Sequence, residues 1–574
     1  MSVPFIDQEF TFTNPDGSTF RVRGSGDQHY AVFETLDGYT VVKDPDTGFY
    51  KYATLSEDKS ALVPTPVTVG AGDPQTLGLS PHIRIRQESA RRAALESPLQ
   101  QGPKRRWQVR REQKKSRLQA VMPATDPEAL PQATVTVGNY VGLCILIRFP
   151  DVPDTISRQQ VDDFCNLPGY TGFGNNGSVR DYFFDNSRAK LTYTNAVTQY
   201  YTAAHNRSYY TDPAISYGTR ARELIVEALN WLKNQGFNFG QLSSDSGGYV
   251  YALNAFYAGD TVNNWAEGLW PHSSSLAAPY DAGGKKLFDY QITSIGSELT
   301  LRTFCHENGH MICDYPDLYD TGYQSTGIGH YCLMCYGAND KNPAQICAYL
   351  KNQSGWATKA VAITPGITAT LSAANNDFYL HAKNATEYFI IENRQKTGRD
   401  TFLPDAGLAI WHVDESASNN NEQMTSGLHY ECSIEQTDNR FDLEKKANYG
   451  DVEDLYAAPT NVTFSDSTAP DAKWWDGGNS GLNITGISAA GPTMTFVVPA
   501  AINWASNKSV LSTFTSPHSM NAWAYIQDLG WRQVQALTAD GVTNMFALLV
   551  DAQAYGRKVT VYVDSSFMYQ AYCV

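Results

Sequence analysis

The chain lacks a long apolar run. None of its 574 residues belongs to a stretch approaching the roughly 20 consecutive apolar residues that a transmembrane helix needs. The opening residues, MSVPFIDQEF, have neither the basic start nor the apolar stretch of a secretory signal peptide. We therefore expect no membrane partner, and the start of the sequence shows no export signal.

A compact cysteine framework is also missing. The nine cysteines are odd in number and scattered, and the first of them is Cys144. Cys332 and Cys335 form a lone CxxC pair without a second pair at zinc-ribbon spacing, so we interpret the pair as incidental. Because no cysteine precedes Cys144, a thiolate from the N-terminal side cannot block a metal site. Scattered cysteines of this kind favour a reducing compartment.

The third deficit is positive charge. The net charge of −15 argues against a nucleic acid as partner of the whole molecule. One segment departs from this balance, since residues 82–119 contain twelve Lys and Arg against three Glu. It predicts a solvated helical linker, an exposed protease-sensitive connector, or both, and we expect any cleavage within residues 104–117.

Changes in sequence character divide the chain into five parts. Residues 1–80 alternate polar and apolar positions between Asp-Gly and Pro-Asp turns, which predicts a β-rich unit of hairpins. Residues 81–134 are the basic helical linker, and residues 135–355 have the order of strands and helices expected of an α/β domain. Residues 356–500 predict a β-sandwich-like module, and residues 501–574 predict a small β-rich module.

The α/β part contains the sequence HENGH at residues 306–310. On a helix, His306 and His310 lie on one face a turn apart, so both imidazoles can reach one metal ion. Glu307 lies beside them, where a carboxylate that is not a ligand can accept a proton from a metal-activated water. The alternative is an ordinary helix with two polar residues, because a bare HExxH also arises by chance.

The residues after this motif carry a family resemblance. MICDYPDLYD and the later CLMCYG resemble the metzincin plan and, more closely, the immune inhibitor A family of secreted bacterial zinc metallopeptidases. GSVRDYFFDNSRAKLTYTNAVTQYY and YFIIENRQKTGRDTFLPDAGLAIWHVDES look like segments of the same family, so the resemblance covers roughly residues 15–500. It implies a metzincin-like zincin catalytic domain, a catalytic Zn²⁺ and endopeptidase activity on protein or peptide substrates. We expect a monomer.

The resemblance also implies a third zinc ligand. In the family plan the helix stops at a glycine, the chain turns, and the ligand lies three residues beyond the turn. Cys313 stands at the glycine position, but Asp314 tolerates a left-handed turn better than most residues. Asp317 is then the expected third ligand, and Asp314 and Asp320 are the alternatives.

Two further residues match the plan downstream. Met334 corresponds to the methionine beneath the metal, a structural floor rather than a ligand. Tyr336, two residues later, corresponds to a tyrosine that in some metzincins approaches the zinc or the oxyanion of the tetrahedral intermediate. Secreted relatives often bind structural Ca²⁺, and the acidic loops DYPDLYD and DVEDLYAAP are the candidate sources of oxygen ligands.

The resemblance finally implies a latent precursor with residues 1–80 as the propeptide. Asp27 lies in the glycine-flanked stretch GSGDQHY, where its carboxylate could take the coordination position of the water; an ordinary hairpin turn is the alternative. The family is secreted, whereas this sequence begins without a signal peptide, so localisation stays open. The competing interpretation of the whole chain is a non-catalytic binding protein on a degenerate protease scaffold, and the intact HENGH argues against it.

Overall fold

The structure is a computed structural model, and it describes residues 3–121, 135–322, 324–419, 424–518, 520–535 and 538–574. Several separate sheets, with helices packed on some of them, make up the chain. The expectation of a multidomain, β-rich protein is therefore confirmed. Among the described residues, no helix has the length and apolar character needed to cross a membrane.

Six antiparallel strands in sequential order form the N-terminal sheet. The Asp-Gly turn between the third and fourth strands requires a left-handed residue, and Gly38 supplies it with a φ of 91°. Aromatic side chains form the core of this sheet, where the rings of Phe12 and Phe33 lie 4.7 Å apart. The strands are β1 (Phe5–Thr13), β2 (Thr19–Gly26), β3 (Ala31–Thr35), β4 (Thr40–Lys43), β5 (Tyr50–Leu55) and β6 (Leu62–Thr68).

Two helices follow this sheet, α1 (Gln87–Leu95) and α2 (Arg106–Val121). Helix α2 packs onto the next unit with Trp107 and Arg111 buried. Arg111 forms a buried ion pair with Glu431, and Lys115 reaches the same carboxylate at 3.0 Å. The prediction of an exposed connector at residues 104–117 is thus wrong for one face of the helix, because its cations bind carboxylates of the acidic remainder of the chain.

A mixed five-stranded sheet lies at the centre of the unit that carries the HENGH motif. Its strands are β7 (Gly138–Arg148), β8 (Leu191–Thr202), β9 (Leu253–Ala258), β10 (His272–Asp281) and β11 (Lys286–Ile295). They pair in the order β10-β11-β9-β7-β8, and only β10 runs antiparallel to its neighbour. The helices of this unit are α3 (Arg158–Asn166), α4 (Val179–Asn186), α5 (Arg207–Tyr210), α6 (Thr219–Asn234), α7 (Leu301–Cys313) and α8 (Ala348–Gln353).

The apolar run in β7 reflects a sheet that is covered on both faces. Leu143, Ile145 and Ile147 point into a core shared with α6, whereas Cys144 and Leu146 point into a core shared with α7. Successive side chains of a strand alternate between faces, so both sets must be apolar. The mixture of strands and helices expected for residues 135–355 is present in the structure.

The next sheet is also buried on both faces. Strands β15 and β16 have only buried residues, since one face packs on the core around α7 and the other on a separate core. The five-stranded sheet has the order β12-β14-β15-β16-β17, and two strand pairs, β13-β20 and β18-β19, lie outside it. The strands are β12 (Lys359–Ala362), β13 (Thr368–Ser372), β14 (Asp377–Ala382), β15 (Glu387–Arg394), β16 (Gly407–Asp414), β17 (Cys432–Ile434), β18 (Phe464–Ser465), β19 (Asn483–Ile484) and β20 (Thr493–Val497).

The C-terminal unit is a closed barrel with one helix packed against it. The β-rich module expected for residues 501–574 also contains a helix, α9 (Ala539–Tyr555), which includes the apolar stretch MFALLVDAQAY. Thr538 caps its first turn and Gly556 ends it in a left-handed conformation, while Leu549 and Ala552 face the barrel core. The strands are β21 (Asn503–Thr515), β22 (Ala522–Ile526), β23 (Gly530–Val534), β24 (Lys558–Val563) and β25 (Phe567–Cys573).

Candidate metal centre

Helix α7 carries the two histidines, and it ends as the sequence predicts. Ten of its thirteen residues, from Leu301 to Ile312 apart from Arg302 and Thr303, are buried, so the helix is held by packing on both sides. Asp314 follows the helix in a left-handed conformation, with φ 58° and ψ 29°. Its N–H closes the last turn by bonding to the carbonyls of Gly309 and His310. The reversal brings the following loop back over the helix.

Backbone carbonyls orient both imidazoles. His306 Nδ1 lies 3.1 Å from the Leu333 carbonyl oxygen, and His310 Nδ1 lies 2.6 Å from that of Tyr315. A carbonyl only accepts, so each Nδ1 donates its proton and each Nε2 keeps a lone pair. The two Nε2 atoms lie 3.1 Å apart. This arrangement is the one that metal-binding histidines use.

Asp317 completes a triangle with these two nitrogens. Its Oδ1 lies 3.0 Å from His306 Nε2 and 3.2 Å from His310 Nε2. Ligands of a tetrahedral zinc ion at bond lengths near 2.0–2.1 Å lie about 3.3 Å from one another. Two imidazole nitrogens and one carboxylate oxygen are a donor set that suits Zn²⁺. The residues present therefore fit the metal that the sequence predicts.

The charge balance at the triangle also favours a cation. Burial by itself raises the pKa of Asp317, but the adjacent His310 and His306 outweigh it and hold that pKa well below its ordinary value. Burial lowers the pKa of His306, and the Asp317 carboxylate with Glu307 more than reverses this, so the net shift is upward. Three electron-pair donors at such distances repel one another unless positive charge lies between them.

The other two candidates for third ligand have different partners. Asp314 Oδ1 accepts a hydrogen bond from Arg110 Nε of helix α2 at 2.8 Å. Asp320 accepts from the backbone N–H groups of Gly322, Gln324 and Ser325 at 2.8–3.0 Å and so shapes its own loop. The geometry favours Asp317, and its role as ligand stays a prediction.

Glu307 lies beside the two histidines and is buried. One ligand atom from each of His306, Glu307 and His310 lies within 4.8 Å of the other two. Glu307 is therefore close enough to act on a water molecule bound at the triangle, which is the position that a general base needs.

Met334 lies directly under the helix. A Cβ atom built on Gly309 would lie 2.8 Å from Met334 Sδ, so the glycine in HENGH makes room for the methionine. The Met334 carbonyl accepts a hydrogen bond of 2.8 Å from the N–H of Leu318, and the preceding Leu333 carbonyl holds His306. The turn thus ties the loop that carries Asp317 to the histidine helix.

Tyr336 is buried among other aromatic rings. Its ring lies 4.9 Å from that of Tyr449 and 6.4 Å from those of His330 and Tyr319. The N-terminal region contacts Tyr319 rather than Tyr336. The Tyr319 hydroxyl donates a 3.0 Å hydrogen bond to Asp27 Oδ2. Sequence reasoning missed Tyr319 although it belongs to the PDLYD segment, because the family plan directed attention to the position after the methionine.

Asp27 does lie at this cleft, 292 residues before Tyr319 in sequence. It is fully buried, and its Oδ1 accepts hydrogen bonds from the backbone N–H groups of His29 and Tyr30. Its carbonyl oxygen accepts a 2.7 Å hydrogen bond from Trp265 Nε1. Its carboxylate therefore shapes a local turn, as the hairpin alternative predicts, and also bonds to Tyr319 of the unit that carries HENGH. That it takes the coordination position of the water stays a prediction. Its role in latency stays a prediction.

Helix α2 of the N-terminal region also covers His310, a contact that the sequence did not suggest. The Trp107 ring stacks on the His310 ring at 4.6 Å with an interplanar angle of 21°. The N–H groups of Arg106 and Trp107 donate to the two carboxylate oxygens of Asp289 at 2.8 and 3.1 Å. A lone tryptophan within a basic run was the only available signal in the sequence.

Two other sequence features have structural partners. His412 is buried and lies 3.4 Å from Glu387 and 3.5 Å from Glu435, whereas Asp414 bonds to His429 at 2.8 Å. Cys332 and Cys335 are buried as free thiols.

Comparison of the chain with models of known protein families and with curated proteins gives no match.

Proposed function

We propose that the chain is a zinc-dependent endopeptidase, made as a latent precursor, with a metzincin-like zincin catalytic domain of the immune inhibitor A type. One observation carries the proposal: His306 Nε2, His310 Nε2 and Asp317 Oδ1 lie 3.0–3.2 Å from one another beside the buried Glu307. The mixed sheet, the helix α7 and Met334 beneath it support the same assignment.

The zinc ion, held by the two imidazoles and Asp317, would polarise a water molecule and the scissile carbonyl. The Nδ1 hydrogen bonds to the Leu333 and Tyr315 carbonyls keep both Nε2 atoms aimed at one point. Glu307 accepts the proton of the attacking water and delivers it to the amide nitrogen as the C–N bond breaks. Tyr336 remains the residue that the family resemblance names for the oxyanion.

The N-terminal region, residues 1–134, supports the precursor part of the proposal through the contacts of its described residues. Asp27 occupies the cleft at Tyr319, and Trp107 covers His310 from another side. These contacts exclude substrate while they persist. The structural calcium stays a prediction with little support, because Asp314 and Asp320 of the first acidic loop already bind Arg110 and backbone N–H groups.

A peptidase assay with a matched variant tests the proposal. Full-length protein, nicked by limited proteolysis, is assayed on casein and on fluorogenic peptides with and without a zinc chelator. Glu307→Gln should retain zinc, because the ligands are untouched, but lose roughly 10²–10⁴-fold in turnover. Activity that survives both the chelator and Glu307→Gln would contradict the mechanism. Zinc binding without any hydrolysis by the wild type would favour the non-catalytic scaffold instead.

A further inference from the structure

The hydroxyl of Tyr319 is a point where the loop that carries Asp317 meets the N-terminal region. Tyr319 is two residues beyond Asp317 on the same loop, and 2% of its surface is exposed. Its hydroxyl donates to Asp27 Oδ2 at 3.0 Å. Because this hydroxyl already donates to a carboxylate oxygen, it can act as a hydrogen-bond donor to an anionic oxygen.

The N-terminal region brings a negatively charged oxygen to this donor. Next to Asp27, the side-chain oxygen of Gln28 accepts a 2.7 Å hydrogen bond from the backbone N–H of Ser273 on β10. Ser275 of the same strand donates its hydroxyl to the Pro103 carbonyl at 2.9 Å. The N-terminal region thus satisfies polar groups of the edge strand β10 while placing a carboxylate on Tyr319. A carboxylate oxygen on a buried O–H marks a position where the protein stabilises an anionic oxygen.

We propose that Tyr319 donates a hydrogen bond to the substrate carbonyl oxygen as that oxygen becomes negative, once the N-terminal region has left the cleft. This inference rests on the proposed peptidase function. The water oxygen bonds to the carbonyl carbon, and the C=O π pair moves to the oxygen that accepts from Tyr319. The proton lost by the water goes to Glu307 and then to the amide nitrogen as the C–N bond breaks. A donor that meets charge only in the transition state raises kcat rather than lowering KM.

This assignment moves the oxyanion role from Tyr336 to Tyr319. The described surroundings of Tyr336 are the rings of Tyr449, His330 and Tyr319 itself. Tyr319, by contrast, contacts a carboxylate from a separate unit, so its hydroxyl faces the space that another chain segment can enter. A tyrosine that served only to pack the loop would not need to face that space.

The test compares two hydroxyl deletions with matched chemistry. Tyr319→Phe removes a donor to Asp27, and Tyr331→Phe removes a buried donor to Asp454 at 2.8 Å, a carboxylate outside the His306–His310–Asp317 triangle. Full-length wild type and both variants are nicked by limited proteolysis to equal extent, checked by mass spectrometry. Zinc content, kcat, KM and the affinity of a phosphinic peptide, a tetrahedral analogue of the transition state, are then measured.

We expect Tyr319→Phe to retain zinc and KM within a few-fold while kcat falls about 10²-fold, the usual cost of losing one oxyanion donor. The phosphinic peptide should bind more weakly by a similar factor. Tyr331→Phe should match the wild type in all four quantities. Tyr319→Phe with wild-type kcat and phosphinic affinity would leave Tyr319 as an anchor for Asp27 only and overturn the inference.

Two further outcomes separate this inference from the proposed function. If the loss of kcat appears in Tyr336→Phe and not in Tyr319→Phe, the assignment to Tyr319 is wrong while the peptidase proposal stands. If nicked wild type shows no chelator-sensitive hydrolysis and does not differ from Glu307→Gln, the peptidase proposal fails and the inference falls with it.

Discussion

Removal of the Asp317 carboxylate should release the metal. Its Oδ1 lies 3.0 and 3.2 Å from the two Nε2 atoms, so Asp317→Ala deletes one of three protein ligands. Loss of a residue that only supports a ligand already lowers metal affinity about 10–100-fold. We therefore expect zinc affinity to fall by more than about 100-fold, which corresponds to about 2.7 kcal/mol or more.

The neighbouring aspartates provide controls that keep the local backbone. Asp314→Asn tolerates the left-handed conformation but removes the charge from a mostly buried ion pair with Arg110, so it should cost about 1–3 kcal/mol of folding stability. Asp320→Asn keeps one acceptor for the N–H groups of its loop and should cost about 1–3 kcal/mol. Both variants should retain zinc, because neither side chain faces the triangle.

The measurement is zinc per chain by mass spectrometry after dialysis at a fixed free-zinc concentration. Circular dichroism and thermal unfolding, with and without chelator, establish that each variant is folded. Full zinc in folded Asp317→Ala would refute the assignment. Loss of zinc in Asp314→Asn or Asp320→Asn with Asp317→Ala unaffected would transfer the role to that residue.

Three further variants test the cover of the site and the electrostatics of the fold. Asp27→Ala removes the carboxylate from Tyr319, so the uncleaved precursor should hydrolyse peptides measurably while uncleaved wild type is inactive. If both uncleaved proteins are inactive, with residues 104–117 intact in both, the N-terminal segment acts only as a folding aid or steric plug. Trp107→Ala removes the ring stacked on His310 and should shorten the time before peptidase activity appears during limited proteolysis. An unchanged time would show that helix α2 does not limit access of substrate to the site. Burial raises the pKa of Asp454 to about 7, above its value in the unfolded chain, so the unfolded state loses its proton first as pH rises. The free energy of unfolding should then fall by up to about 1.4 kcal/mol per pH unit between about pH 4 and 7 and level off above that. In urea unfolding measured as a function of pH, Asp454→Asn should lose this pH dependence. Equal pH dependence of the free energy of unfolding in the two proteins would contradict the prediction.

Local features of the metal centre could be predicted from the sequence. The spacing of His306 and His310 sets them on one helix face, because side chains four residues apart on a helix are neighbours. The left-handed turn at Asp314 followed from the backbone preference of a single residue, and the structure has it. The runs in β7, β15 and β16 indicated buried strands for the same kind of reason, since apolar residues in strands must be covered.

Contacts between distant segments were decided by the tertiary structure. The family resemblance favoured Asp317 over Asp320, but only the folding of the loop over the helix brings Oδ1 of Asp317 to both imidazoles. Three contacts join residues 203 to 320 positions apart: Asp27 with Tyr319, Trp107 stacked on His310, and Arg111 buried against Glu431. Spacing along the chain constrains only neighbours within a turn or a hairpin, whereas these contacts depend on which surfaces exclude water together.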